Sequence, residues 1–560
     1  MRRGALGALA AAALGGCAAR RAPKTAAVAA SAGPRTRAER TGYAETSRYA
    51  DVVAFVDTLA RLAPGVVRTF SMGTTGEGRA IPVAVASRPA VATAEEARRL
   101  GRPVVYVQGN IHAGEVEGKE ALQALLRDLA LAPGPNVLDS LVLVAVPIYN
   151  ADGNERLRDQ GVNRTEQNGP ALVGQRANAA GLDLNRDYVK AEAPETRAAL
   201  ALLNAWDPDV FVDLHTTDGS YHGYALTWSP SLHPSAPLAA YNQDTLLPLV
   251  AERVRARRGV LTFPYGNFAE GYGDDVSAAN VRTGWYTYDH RARYGTNYYG
   301  LRGRLSVLSE AFSHDPFERR VRSTYAFVAE LLSALARPGT LERTRVGLPV
   351  PAAALRARLT PAPRVGPVLA EDLAPAPDSA QTEPGVPRGL RRTGRVHPVT
   401  LPIYDRFVAT RTAGPVFGGW AFRGDAPGAA EAAALLLRHG LRVERLLGPE
   451  TRQVRVFRVD SVVTAPRPFQ GHREVRLEGR WRDTLLTLPA GSYAVPSQRY
   501  PVLAAALVEP ESDDGLVTWN VWDAALRAGR DFPVVRVPEP DPDSNPPPRR
   551  DGPPPTRQPL

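Results

Sequence analysis

The residues most able to do chemistry stand in two short stretches, His112-Ala113-Gly114-Glu115 and Val212-Asp213-Leu214-His215. Two imidazoles and one carboxylate make a three-ligand set for a catalytic zinc, with a fourth position left to water. A structural zinc is closed by four protein ligands, so this set points to hydrolytic or Lewis-acid chemistry. An isolated His-x-x-Glu recurs by chance, and its plain reading is a surface histidine near a glutamate. Here the pair follows an apolar run, Gly109 and Gly114 permit a tight backbone, and a second histidine also ends a strand-like run. The chain has no His-Glu-x-x-His, which excludes the helix-borne zinc motif. A further acid, Glu310, follows the apolar run Leu305 to Leu308. It is suited to take a proton from a zinc-activated water. The plain alternative is a carboxylate paired with Arg302 or Arg304.

These residues need rigid elements to bring them together. Val104-Val105-Tyr106-Val107, Leu141 to Ile148, Val210 to Leu214 and Leu305 to Leu308 are apolar runs that predict buried strands. Gly118 to Leu131, Pro194 to Trp206 and Phe317 to Ala336 carry helical periodicity. Strands alternating with helices predict an α/β layered domain. In such sheets, sites form where loops leave the strand ends, and His112, His215 and Glu310 all stand at such places.

The chain has 560 residues, 44% of them hydrophobic, enough for a large core. Its net charge of +10 is carried almost wholly by arginine interleaved with acids. No basic run with interleaved aromatics suggests a nucleic-acid partner. Arg2, Arg3 and the apolar stretch Ala5 to Leu14 predict a secretory signal peptide over residues 1–16. That stretch is well short of the about 20 residues needed to span a bilayer. Leu14-Gly15-Gly16-Cys17 is similar to a bacterial lipoprotein lipobox, and Cys17 is the single cysteine. Lipid attachment at Cys17, and so a cell-envelope location, is the expectation; ordinary secretion is the alternative. Residues 17–42 are expected to form a tether, 43–337 the α/β domain, and 338–395 a Pro-rich linker or irregular surface chain. Residues 396–537, with period-two segments such as Gln453 to Val459 and a helix over Ala429 to His439, predict a smaller β-rich accessory domain. Residues 538–560 are a Pro-rich tail expected to be disordered.

Read in order, several landmarks resemble the zinc carboxypeptidases of the carboxypeptidase A type over roughly residues 43–337. They are Gly76-Glu77-Gly78-Arg79, His112-x-x-Glu115, Tyr149-Asn150-Ala151-Asp152-Gly153, Gly181 to Tyr188, His215 and Ser309-Glu310. The resemblance implies a mixed β-sheet flanked by helices and one zinc per chain on His112, Glu115 and His215. It implies Glu310 as the catalytic acid and base, and a peptide with a free C-terminus as substrate. It also implies that Asn185 and Arg186 bind the terminal carboxylate, which a guanidinium can grip bidentately. Arg164 is the candidate for the arginine that stabilises the oxyanion; Arg176 competes for that role, and spacing does not separate them.

The chain also departs from the family pattern. Gly114 stands where the family has an arginine between the first ligands, so contacts upstream of the cut bond are expected to differ. Tyr288, Tyr294, Tyr298 and Tyr299 are all candidates for the tyrosine that covers bound substrate; Tyr298 is assigned to substrate binding. Other readings on the same scaffold are a hydrolase of cell-wall peptides or N-acyl amino acids, and a surface binding protein without turnover.

Overall fold

The computed structural model describes residues 33–268, 282–340, 355–377, 385–413, 418–496, 498–538 and 557–560. Cys17, the expected signal segment and most of the expected tether lie outside the described residues, as do parts of the Pro-rich linker and tail.

The apolar runs form strands at the centre of one eight-stranded sheet. Its strands are β1 (Val67–Thr74), β2 (Ala80–Ala86), β3 (Val104–Gly109), β4 (Val142–Val146), β5 (Val210–Thr216), β6 (Leu226–Pro230), β7 (Thr262–Pro264) and β8 (Leu305–Ala311). They lie in the order β1-β2-β4-β3-β5-β8-β6-β7. The central strands β4, β3, β5 and β8 are parallel. The pairs β1-β2, β2-β4 and β8-β6 are antiparallel, which makes the sheet mixed. Continuous apolar runs suit the parallel centre because both faces are covered. Val105, Val107, Val212 and Leu214 pack against α1 (Tyr49–Leu62), α2 (Glu117–Leu131) and α4 (Phe317–Leu335). Alternate residues Val104, Tyr106 and Phe211 face Leu200, Leu203 and Trp206 of α3 (Pro194–Trp206). Because β3, β5 and β8 run in one direction, the loops after them open at the same edge of the sheet. This edge holds the candidate site.

The expected linker is structured where it is described. β9 (Leu355–Pro375) and β10 (Leu390–Ala413) form a long antiparallel hairpin. β10 also pairs with Trp285–Tyr286. Proline is tolerated there because each strand has an edge with no ladder partner over most of its described length, and Pro363 is skipped at a bulge. Val368, Leu401 and Ile403 bury one face against Tyr224 and Trp285.

The C-terminal region is β-rich. Its seven-stranded sheet includes β11 (Glu450–Thr464), β12 (Val475–Leu488) and Asp531–Arg536. One core cluster runs from Phe211 through α3 to Ala433, Trp420 and Trp522, so this region shares its core with the first sheet.

Two boundary expectations are corrected. Thr36 and Glu39 form a capping box on Arg37–Arg40, and Glu39 pairs with Arg127 at 2.6 Å. Chain expected to belong to the tether therefore packs on α2. At the other end Arg557–Pro559 adds a strand beside Glu444–Leu446, held by Arg557 to Glu450 at 2.9 Å. No described helix is long and apolar enough to cross a membrane.

Candidate metal centre and substrate cleft

The loop after β3 is held before it reaches the site. Asn110 takes φ +65°, and its side-chain amide donates to the carbonyls of Ala113 and Glu115 at 3.2 and 3.4 Å. The Asn150 amide donates to the Ile111 carbonyl at 3.3 Å, which anchors the loop to the Asn-Ala-Asp-Gly turn. Asp152 of that turn accepts from the Thr75 hydroxyl at 2.7 Å and from the Glu77 amide at 2.9 Å. Two of the sequence landmarks are therefore in contact.

His112, Glu115 and His215 converge, with ligand atoms all within 4.8 Å of one another. Nδ1 of His112 lies 2.9 Å from Glu115 Oε1, and Nδ1 of His215 lies 2.9 Å from Glu115 Oε2. The far nitrogens face polar groups. Nε2 of His112 is 3.1 Å from Asp183 Oδ1, and Nε2 of His215 is 3.1 Å from Asp213 Oδ2. Carboxylates behind histidines fix ring orientation and raise ligand basicity at zinc sites. Two Nδ1 atoms aimed at one carboxylate, with an acid beside each outer nitrogen, fit the donor set of a zinc with an open position. Among the described residues this is the group of acids and histidines able to hold a metal.

Without a cation the cluster is held as an ion pair, which zinc binding would replace by releasing the His215 proton. Burial alone would raise the Glu115 carboxyl, but His112 and the Arg164 guanidinium hold it well below the usual carboxylate range. Burial would lower the His215 imidazole, but Asp213 and Glu115 push it well above its ordinary value. Both shifts favour opposite charges on adjacent groups.

Glu310 stands in register with His215 across the β8-β5 pair. It is 7% exposed and its Oε2 has no hydrogen-bond partner. Burial pushes its carboxyl well above the ordinary range, with Glu115 and Asp218 adding to the shift. A carboxylate so placed is suited to accept and return a proton.

The two arginines left open by spacing have different settings. Arg164 is buried. It donates to Glu115 Oε1 at 3.1 Å and to the carbonyls of Thr216 and Thr217 at 3.2 and 3.0 Å, and pairs with Glu166 at 2.9 Å. Its terminal nitrogens are spent on the protein. Arg176 leaves 37% of its side chain exposed and is held by Asp183 at 3.0 Å. Its Nη1 lies 3.5 Å from Glu115 Oε1.

Asn185 and Arg186 lie on the short turn Leu184–Arg186 after Asp183. The Asn185 oxygen accepts from the Gly295 amide at 2.9 Å. The Arg186 guanidinium stacks 4.0 Å over the Tyr294 ring.

Of the four candidate tyrosines, Tyr298 is corrected. It is fully buried, and its hydroxyl is 2.9 Å from His439 Nδ1, inside the core shared with the C-terminal region. Tyr299 is also buried and donates to the Pro208 carbonyl at 2.8 Å. Tyr294 faces Arg186, and Tyr288 packs on Tyr294 with ring centres 5.1 Å apart.

Sequence reasoning gave no role to Asp183, Asp213 or Gln470. Asp213 had a usable signal, since residues two apart on a strand share a face. Asp183 stands two residues before Asn185 within a quoted landmark. Gln470, which accepts from the Asp183 amide at 3.0 Å, is 287 positions away and had no local signal.

Residues 52–289 match the family model described as zinc carboxypeptidase. Carboxypeptidase 2 of Trichophyton tonsurans is 23% identical over 464 residues, covering 77% of this chain and 76% of that protein. Mouse carboxypeptidase D is 32% identical over 161 residues, covering 24% of this chain and 12% of that one. Among solved structures, a metallo-carboxypeptidase from Burkholderia cenocepacia aligns with a TM-score of 0.38 and 20% identity, covering 51% of this chain and 68% of that chain. The family match falls on the segment that supplies His112, Glu115, Asn185, Arg186 and His215, and the chain carries a metallopeptidase domain of the zinc carboxypeptidase family.

Proposed function

We propose that the protein removes the C-terminal residue of peptides by zinc-dependent hydrolysis, with His112, Glu115 and His215 as the metal ligands. The observation that carries this reading is the convergence of both Nδ1 atoms on the two oxygens of Glu115, beside the buried acid Glu310. When bound, zinc supplies Lewis-acid polarisation and lowers the pKa of a water.

The remaining work falls to the chain. Glu310 takes a proton from the attacking water and passes it to the leaving amine. Arg176 donates to the oxyanion as it develops, because Arg164 is spent on the ligand carboxylate and on backbone carbonyls. Arg186, packed on Tyr294, grips the terminal carboxylate. Tyr294 or its neighbour Tyr288 covers the bound residue.

The protein is further proposed to be exported and held at the cell envelope by a lipid on Cys17. Retention of the wild type, but not of Cys17→Ser, in the membrane fraction tests that part. The activity is tested by a C-terminal ladder assay on a mixed peptide library, with and without chelator. Stepwise loss of single C-terminal residues, abolished by chelation, is the expected result. Internal cleavage, or activity indifferent to chelator, would refute the reading.

A further inference from the structure

We infer that the C-terminal β-rich region completes the active site, with Gln470 as a positioning residue for the carboxypeptidase reaction. The inference rests on the functional reading above. Asp183 is the hub of the cleft. One oxygen of its carboxylate faces His112 Nε2 at 3.1 Å, the other holds Arg176 at 3.0 Å, and its side chain accepts from the Asn185 amide at 3.0 Å. A metal ligand, an arginine facing the cleft and the Asn-Arg turn are thus oriented by one side chain. The Asp183 amide donates to Gln470 Oε1 at 3.0 Å.

Gln470 lies at the tip of the β11-β12 hairpin, and the tip is fixed on both sides. His472 Nε2 lies 2.8 Å from Glu192, and its Nδ1 lies 3.0 Å from Asn520 Oδ1. Asn520 also donates to the Arg473 carbonyl at 2.7 Å. Gln470 and His472 therefore hold the two ends of the segment 183–192 that carries Asn185 and Arg186. On the same tip, Glu474 pairs with Arg293 at 2.5 Å, and the Arg293 guanidinium lies 5.3 Å from the Phe469 ring centre. Arg293 immediately precedes Tyr294, the ring on which Arg186 stacks. The hairpin therefore supports both partners of the carboxylate-binding pair.

Gln470 itself takes φ +49°. Alanine meets the same backbone cost there as glutamine, so Gln470→Ala removes the acceptor without changing loop strain. Partners one step behind a metal ligand are worth about 10- to 100-fold in affinity or activity. Gln470 acts through Asp183, so the lower end of that range applies.

The test compares wild type, Gln470→Ala and Gln470→Glu on an N-acylated dipeptide with a free C-terminus, measuring kcat, KM, zinc affinity and Tm. Gln470→Ala is expected to lose about tenfold in kcat, with KM and Tm near wild type. Gln470→Glu, which keeps an acceptor, is expected to recover most of that loss. An unchanged kcat in Gln470→Ala, an equal loss in Gln470→Glu, or a kcat loss that only follows a fall in Tm would overturn the inference alone. A wild type that binds zinc but releases no C-terminal residue would overturn the functional reading and the inference with it.

Discussion

Gly114 and Arg164 are in such close approach that a Cβ added at Gly114 would lie 2.7 Å from Arg164 Cγ. The same Cβ would lie 2.9 Å from the Gly174 carbonyl oxygen. The Arg164 side chain occupies the space that any residue larger than glycine would need, and from there it reaches Glu115 at 3.1 Å. The departure from the family pattern at Gly114 is thus matched by a buried arginine supplied from a distant loop.

Gly114→Ala must displace either Arg164 or the loop that carries both first ligands. Zinc affinity is expected to fall about 10- to 100-fold, as for other changes one step behind a metal ligand. Competitive zinc titration against a chromogenic chelator measures it. Affinity equal to wild type would show that Arg164 yields at no cost.

Arg164 and Arg176 should separate in their variants. Arg164→Ala removes a buried cation from Glu115 and the donor to the Thr216 and Thr217 carbonyls, so it should lower Tm by several degrees and weaken zinc binding. Arg176→Ala should leave Tm near wild type and reduce kcat about 10²- to 10³-fold, the loss expected for a donor to a developing oxyanion. Calorimetry and steady-state kinetics on the two variants check both. The reverse pattern would return the oxyanion role to Arg164.

Arg186→Ala should raise KM for peptides with a free C-terminal carboxylate by about tenfold or more, the loss of a charge-assisted contact of about 1.5–3 kcal/mol. Wild type should already be poor on the matching C-terminal amides, and Arg186→Ala should narrow the gap between the two substrates. Paired assays on the acid and the amide of one peptide measure the effect.

Removing zinc should lower stability as well as activity. Without the cation, Glu115, Asp183 and Asp213 surround two histidines in a buried space. A ligand that binds the folded state at 100 times its Kd adds about 2.7 kcal/mol. Tm should therefore fall on chelation and return with added zinc, which differential scanning fluorimetry can follow.

The strand-helix alternation, the placement of His112, His215 and Glu310 at strand ends, and the order of the landmarks were legible because each is local. Val104-Val105-Tyr106-Val107 can be buried only as a central strand or a core helix, and its length favours the strand. The β9-β10 hairpin was hidden by its prolines, which read as linker until each strand is seen to have an edge without ladder partners. The choice between Arg164 and Arg176 was not legible, since both stand at plausible spacing and differ only in what surrounds them. Tyr298 was misassigned because nothing in its sequence setting shows that His439 and the shared core enclose it. Gln470 was beyond reach because its partner is fixed by tertiary packing alone.

The most direct test of the central claim is zinc content and turnover measured on one preparation of Glu310→Gln. The variant keeps all three ligands and removes the proton acceptor. The account predicts about one zinc per chain, as the His112, Glu115 and His215 set requires, with release of C-terminal residues reduced by several orders of magnitude. Turnover close to wild type in a zinc-loaded Glu310→Gln protein would contradict it.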